Sequence, residues 1–419
     1  MKKQKFSILA LLTTAPLWVS AEHTPDNIHY KPDTVTSRER PEVAPLGARA
    51  GAFRLYPSLT LSESYNDNIF STDNNEESDF ITLIRPALNL ESLWGRHNLS
   101  LHADATLGRY GDNGSENFDD YSAGFDGIME IDHAQSIYTK YNYLHGHENR
   151  SSPDNVSGIE PTELDSNTFN ATYRNRFNRI IFELGGEYSS VDFDDARLAN
   201  NNIINNDDRD RDRQEGSVKL GYEYLPEYTA YIRTSVNKVN YDEDTDGFGF
   251  NRDSDGYAFS VGTDLDLSGV LLGNLYVGYE KQQYDDLLLR DAKGISGGAS
   301  LIWLPSQMTT VTSSLTRSIE ETTLASSSGY FSTGANIVVD HELLRNLLLQ
   351  ARLNLSQDDF EGIDRSDSYF GSGLGATYML NRHFYLLLDY DYLQRDSDSV
   401  TNFDDFSENI FSLGGRLQL

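Results

Sequence analysis

From about residue 55 to residue 419, apolar and polar side chains alternate in one segment after another. One segment has an apolar residue at every second position, namely Leu347, Leu349, Ala351, Leu353 and Leu355. Successive residues of a β-strand point to opposite faces, so each segment has one face suited to lipid and one suited to water. A soluble β-sandwich also shows this alternation, and the two ends of the chain decide between the two folds.

The first 21 residues have the form of a secretory signal peptide. Lys2, Lys3 and Lys5 precede an apolar stretch over residues 6–19, and a small-residue cleavage site ends at Ala21. This pattern predicts cleavage after Ala21 and export through the inner membrane. The chain has no run of 18 apolar residues that would hold it in that membrane as a helix.

The other end carries a second pattern, in which Ser412, Gly414, Leu417 and Leu419 follow the order polar-x-Gly-x-x-apolar-x-apolar. It resembles the signal that the barrel assembly machinery recognises on last strands, with leucines in place of the usual aromatic residues. With the alternation, it predicts an all-β fold, a transmembrane antiparallel β-barrel in the outer membrane of a Gram-negative bacterium. The expected partners are outer-membrane lipids, lipopolysaccharide and the barrel assembly machinery.

The composition agrees with a barrel and excludes several functions. Only 38% of the residues are hydrophobic, while 25 tyrosines and 20 phenylalanines are enough for the aromatic girdles of such barrels. The chain has no cysteine, and therefore neither disulfides nor thiolate metal sites. Its net charge of −31 argues against nucleic acid as a partner, because phosphate binding requires clustered Lys and Arg.

The alternating segments number about 18, and their connections alternate between short ones and long ones rich in acidic and small polar residues. Short periplasmic turns and long, here acidic, extracellular loops are typical of outer-membrane barrels. We divide the chain into a signal peptide (1–21), a flexible Pro-rich periplasmic extension (22–50) and the barrel (51–419). The extension holds four of the 11 prolines. It is interpreted either as a disordered leader or as a plug or docking arm for a periplasmic partner.

The start of the barrel carries a resemblance to a known family. Residues 56–70 and 78–86 read YPSLTLSESYNDNIF and SDFITLIRP. They resemble the opening of a family of outer-membrane β-barrel porins whose members are often associated with exopolysaccharide or capsule biosynthesis. The resemblance implies a role in export or assembly of a surface polysaccharide, with that polysaccharide and periplasmic polysaccharide-export proteins as partners. It supplies no catalytic residues.

A barrel of 16–18 strands leaves room for an aqueous channel. The alternation predicts which side chains face it, and the candidates are Arg85, Asp104, Asp126, Tyr138, Lys140, Glu183, Tyr231, Arg233, Asp264, Tyr276, Glu280, Arg352 and Asp389. Across the whole barrel, inward acids outnumber inward bases, which predicts a preference for cations. The alternative is that these charges only solvate and brace a wet wall. The tyrosines are interpreted either as stacking platforms for sugar rings or as wall filler.

One loop has the spacing of a calcium site. Asp242, Asp244 and Asp246 precede Gly247, and Asp253 follows at the position of a last ligand. Alternating carboxylates converge on a calcium ion in D-x-D-x-D-G loops, although those loops end in Glu and lie between helices. The sequence therefore predicts weak calcium binding at most or a solvated acidic loop, and it predicts no other cofactor.

The sequence shows no G-x-S-x-G, H-E-x-x-H or P-loop motif, so we expect no enzyme. Three functions stay open. The first is a channel component for surface polysaccharide, the second is a general diffusion porin for small hydrophilic solutes, and the third is a barrel enzyme acting on surface glycan or lipid. The longest loop, 194–213, is a candidate constriction or lid.

Overall fold

A computed structural model describes residues 33–155, 158–267, 269–398 and 405–419. The predicted signal peptide, its cleavage site after Ala21 and the first part of the extension lie outside these ranges. Helical structure within them is limited to the 3₁₀ turns Gly114–Glu116 and Asp207–Arg209. No helix in the described ranges is long and apolar enough to cross a membrane.

Eighteen long strands form the body of the protein. Numbered β1 to β18 in chain order, they are Phe53–Asn66, Asp79–Ser92, Asn98–Tyr110, Phe118–Glu130, Gln135–His147, Glu163–Phe177, Ile180–Phe193, Arg211–Leu225, Tyr228–Tyr241, Ser254–Leu267, Leu271–Tyr284, Ala292–Ser306, Thr309–Glu321, Gly329–Leu344, Leu347–Glu361, Ser366–Met379, Phe384–Ser397 and Phe406–Gln418. Each strand pairs antiparallel with its neighbours in the chain. Shorter pieces of strand occur at Ala48–Ala50, which folds back on β1, and at Ala196–Arg197 and Ile203–Ile204, which pair within one loop.

The sheet closes on itself, because β1 also pairs with β18 over nine residues from Ser58 opposite Gln418 to Asn66 opposite Ile410. Closure satisfies every strand edge, which a sheet in hydrocarbon requires. The predicted antiparallel barrel of about 18 strands is thereby confirmed.

The two faces of the sheet follow the alternation in the sequence. At the closing seam, Leu61 and Leu413 are 55% and 63% exposed on the outer face, while Ser62, Ser64 and Ser412 are buried on the inner face. Gly414 allows the close approach of the two strands, since a Cβ atom there would lie 2.7 Å from the Cβ atom of Ser62. The outer face is therefore apolar and the lumen is polar.

The two rims of the barrel differ in their connections. Two-residue turns at 178–179, 226–227, 307–308 and 345–346 lie at the rim that also holds both ends of the barrel. Loops such as 148–162 and 242–253 lie at the other. We call them the periplasmic and extracellular rims, after the usual asymmetry of outer-membrane barrels.

Candidate functional site

The strand register places all thirteen predicted pore-lining residues on one face of the sheet. Residues that face each other across an antiparallel ladder have side chains on the same side. Asp126 is opposite Lys140, and Arg233 is opposite Lys219. Thr60 is opposite both Arg85 and Arg416, so the same face continues across the closing seam. This is the lumen face, and a role in conduction stays a prediction.

Many of the charges on this face are paired within the wall. Arg352 on β15 contacts Asp389 and Asp391 on β17, with shortest nitrogen-to-oxygen distances of 3.3 and 2.9 Å. The guanidinium of Arg85 donates to the Ser62 hydroxyl at 3.4 Å. The two ion pairs of Arg352 reduce the free negative charge that the composition alone suggests.

A second group of paired charges lies half a turn around the barrel, on β6 to β10. The Lys219 ammonium is 3.0 Å from the Asp264 carboxylate and 4.0 Å from that of Glu183. Arg174, which is not among the candidates predicted from the sequence, is 3.5 Å from Glu183. Asp104, by contrast, is on β3 and accepts a hydrogen bond of 2.8 Å from Ser122.

Two of the three tyrosine candidates lie flat against the wall. A Cβ atom at Gly262 would collide with the ring of Tyr231, and one at Gly298 would collide with the ring of Tyr276. Tyr231 is only 4% exposed and lies under the Lys219 ammonium, 3.9 Å from the ring centre. For Tyr231 the packing favours the wall-filler interpretation over that of a stacking platform. Tyr138 and Glu280 also lie on the lumen face.

At the extracellular rim, the loop after β5 folds across the mouth of the barrel. Glu148 accepts two hydrogen bonds from Arg209, at 3.1 and 2.6 Å, and both side chains are buried. Arg150 forms a similar two-bond pair with Glu116, at 2.9 and 2.6 Å. Both pairs join residues of different loops, and they hold the start of the inward loop in place.

The same loop reaches strands on the far side of the barrel. The Thr322 hydroxyl, just after β13, donates to the Asp154 carboxylate at 2.6 Å. Arg395 on β17 donates to the backbone carbonyl of Ser151 at 3.2 Å. We call residues 148–155 the inward loop. The contacts show the inward loop crossing the mouth, and the longer loop 194–213, the candidate constriction or lid from the sequence, supplies Arg209 to hold it. Whether either loop constricts the channel stays a prediction.

The four predicted calcium ligands are not brought together. The Asp246 carboxylate is 2.6 Å from the Arg252 guanidinium, and both side chains are about 1% exposed. Arg252 also donates to backbone carbonyls of the loop after β13, at 2.6 to 3.0 Å. Asp242 and Asp244 are exposed, and Asp253 accepts from a backbone N–H. Asp246 is therefore already neutralised, and no group of three carboxylates or histidines in the described ranges is arranged to hold a metal ion.

At the periplasmic rim, residues 33–46 lie against the inner wall of the barrel, and we call them the N-terminal segment. Val35 is 1% exposed and packs with Leu348, Met379 and Tyr385 of β15 to β17. Its backbone N–H donates to the Thr310 hydroxyl on β13 at 2.9 Å. This part of the extension, for which the sequence suggested flexibility, has defined contacts with the lumen face, as its plug interpretation requires.

Polar contacts hold the rest of this segment. The Arg40 guanidinium donates to the Glu342 carboxylate and to the Val35 carbonyl, each at 2.7 Å. Arg382 donates to the carbonyl of Pro41 at 2.6 Å. Burial lowers the pKa of Arg40, and the neighbouring Glu342 carboxylate opposes that shift. The buried ion pair between Arg40 and Glu342 attaches the N-terminal segment to the barrel, which a disordered leader would not require.

The four residues of the predicted assembly signal lie in β18 and directly after it, and they divide between the two faces of the sheet. Leu417 and Leu419 are more than half exposed on the outer face, and Ser412 and Gly414 face inward at the seam with β1. Recognition by the assembly machinery stays a prediction.

Residues 40–419 match the sequence model of a protein family described as Putative beta-barrel porin 2. No curated protein matches the chain. Similar solved structures include OpdK with vanillate from Pseudomonas aeruginosa, with 10% identity, 87% of this chain and 99% of that chain covered, and a TM-score of 0.41. OpdL from the same species shows 13% identity, coverage of 88% and 100%, and a TM-score of 0.42. The siderophore receptor PirA from Acinetobacter baumannii shows 5% identity, coverage of 87% and 80%, and a TM-score of 0.43.

Proposed function

The chain belongs to this porin family, and we propose that it is a channel component for export or assembly of a surface polysaccharide. It is an outer-membrane β-barrel of a Gram-negative bacterium. Three aspects of this function are proposals, namely the polymer, the direction of transport and the periplasmic export partners.

The observation that carries the proposal is that the chain itself occupies both mouths of its lumen. The inward loop crosses the extracellular mouth, and the N-terminal segment covers the wall of β13 to β17 at the periplasmic mouth. A general diffusion porin works by staying open. A conduit wide enough for a polymer must be closed when no polymer is in it, because the outer membrane otherwise leaks small solutes.

The wall chemistry supports the same proposal. A row of uncharged polar side chains runs across four neighbouring strands on the lumen face, and its members are Ser300, Ser314, Asn336 and Asn354. Hydroxyl and amide groups exchange hydrogen bonds readily with the hydroxyls of a hydrated sugar chain. Each contact stays weak, as movement through a pore requires.

A general diffusion porin is the second candidate, and the family description favours it. The export channel and the diffusion porin predict different phenotypes when the gene is deleted. Deleting the gene should lower the amount of polysaccharide on the cell surface and leave uptake of small sugars and amino acids unchanged. Complementation with the intact gene should restore the polysaccharide. Normal surface polysaccharide together with impaired growth on one small solute would refute export and support the diffusion porin.

A further inference from the structure

A partly enclosed cavity of about 80 Å³ lies beneath the inward loop. A water molecule requires roughly 10–15 Å³ on this measure, so the cavity has room for several waters or for part of one small solute. Strands β13 to β16 form one side, and the inward loop and the strands after it form the other. The wall charges described above do not line it.

The cavity has more carboxylates than guanidinium groups. Glu148, Asp154, Glu321 and Asp358 line it, against Arg209 and Arg211. The two-bond pair between Glu148 and Arg209 uses one charge of each sign. Among the lining residues, Arg211 is then the one guanidinium group left for three carboxylates, so the lining itself carries more acidic than basic groups.

One of these carboxylates has an oxygen without a partner. Asp358 is 2% exposed, and its Oδ1 atom has no hydrogen-bond partner in the described ranges. A buried carboxylate oxygen that accepts no hydrogen bond destabilises the fold by about 1–3 kcal/mol or more. A bound ligand that donates a hydrogen bond to this oxygen removes that cost. Asp154, opposite, accepts a hydrogen bond from the Thr322 hydroxyl. Burial also raises the pKa of the Asp154 carboxyl, and Arg209 and the Thr322 hydroxyl oppose this shift.

The remaining lining restricts the kind of ligand. The carboxylates do not converge closely enough for a metal ion, since no such group is found in the described ranges. Tyr330 and Tyr369 contribute aromatic rings on the side of Asp358. Carboxylates accept hydrogen bonds from ammonium and hydroxyl groups, and aromatic rings pack on sugar rings or attract cations.

We propose that this cavity binds a hydroxyl-rich solute that carries a protonated amine, with an amino sugar unit as the class of ligand. The ammonium group donates to Asp358 Oδ1, and hydroxyl groups donate to the other carboxylates. An acidic sugar is rejected by the excess negative charge. The role of the site in transport rests on the proposed channel function, whereas binding itself does not.

Calorimetry on the purified full-length protein tests the proposal with glucosamine as the probe and with glucose and glucuronate for comparison. Glucosamine should bind, and glucose and glucuronate should bind at least tenfold more weakly. Asp358→Asn, which keeps the shape and removes the charge, should weaken glucosamine binding at least tenfold, or about 1.4 kcal/mol. Asp255→Asn is the matched control, because Asp255 is exposed on β10 and does not line the cavity, and it should leave binding unchanged.

Heat-modifiable mobility on gels shows whether each variant keeps its barrel. Absence of glucosamine binding, equal binding of glucuronate, or an Asp358→Asn variant that folds and binds like the wild type would each overturn the proposal. These outcomes are independent of the deletion experiment, because a site that binds glucosamine is compatible with transport in either direction.

Discussion

Replacing Arg40 with alanine should release the N-terminal segment from the periplasmic mouth and raise the conductance of the channel. The change removes two hydrogen bonds of 2.7 Å, one to Glu342 and one to the Val35 carbonyl. Both charged side chains are buried, with 1% and 3% exposure. Breaking a fully buried ion pair costs about 3–5 kcal/mol when the remaining charge has no other partner.

Glu342 keeps two other partners, which reduces this cost. Arg38 and Arg345 lie 3.5 and 3.6 Å from its carboxylate. Loss of charged hydrogen bonds alone costs about 1.5–3 kcal/mol, so we expect a weakening of the docked state by about 2–3 kcal/mol. That corresponds to a change of roughly 30- to 150-fold in the ratio of docked to undocked segment.

Single-channel recording in planar bilayers measures this effect as open probability or mean conductance. Arg345→Ala is the matched control, because its side chain is 57% exposed and an exposed ion pair contributes about 0–1 kcal/mol. Deletion of residues 33–46 sets the fully open value. If this deletion and Arg40→Ala both leave the conductance at the wild-type level, the segment does not restrict the lumen and the reasoning is refuted.

Three further predictions concern the rim and the seam. Because burial raises the pKa of Asp154 above its ordinary 3.8, docking of the inward loop is favoured at low pH and this gain is lost as pH rises through the docked-state pKa. Conductance should therefore fall on acidification, and Asp154→Asn should remove that pH dependence in bilayer recordings. Gly414→Ala should lower the unfolding temperature on heat-modifiability gels, while Gly216→Ala, where a Cβ atom has open space, should not. Arg252→Ala should leave a buried carboxylate and several carbonyls unpaired, at a cost of about 3–5 kcal/mol, and make the extracellular loops more sensitive to protease on intact cells.

The barrel and its lumen face could be predicted from the sequence because the side-chain period of a strand is two. A slip of one residue would exchange the two faces of a strand, so the apolar outer face fixes the register. The alternation over residues 347–355 lies in β15, and it places Arg352 on the lumen face. The strand count was also predictable, because short turns and long acidic loops alternate along the chain.

The segments that occupy the two mouths could not be predicted in this way. The inward loop is held by contacts between residues far apart in the sequence, such as Asp154 with Thr322 and Glu148 with Arg209. Neither loop length nor composition identifies such pairs, and the longer loop was the candidate for this reason. The N-terminal segment depends on Val35 and Arg40, two residues in a polar, Pro-rich stretch without periodicity.

The calcium-like loop shows that the spacing of a motif does not by itself predict a binding site. The spacing of its aspartates is present in the sequence, but an arginine six residues after Asp246 folds back and takes its carboxylate. A motif records where carboxylates stand along the chain. It does not show whether a basic side chain of the same protein already forms an ion pair with them.

Ion selectivity follows from how the wall charges are paired. A count of inward residues suggests a broadly anionic lumen, yet Asp389 and Asp391 share Arg352, and Asp264 contacts Lys219. A paired carboxylate attracts a passing cation less than a free one, because its charge is already partly neutralised. We therefore expect selectivity to depend more on the carboxylates of the extracellular cavity around Asp358 than on these paired wall charges. The inward loop covers this cavity, so we expect the contacts that hold the loop in place also to influence which solutes pass.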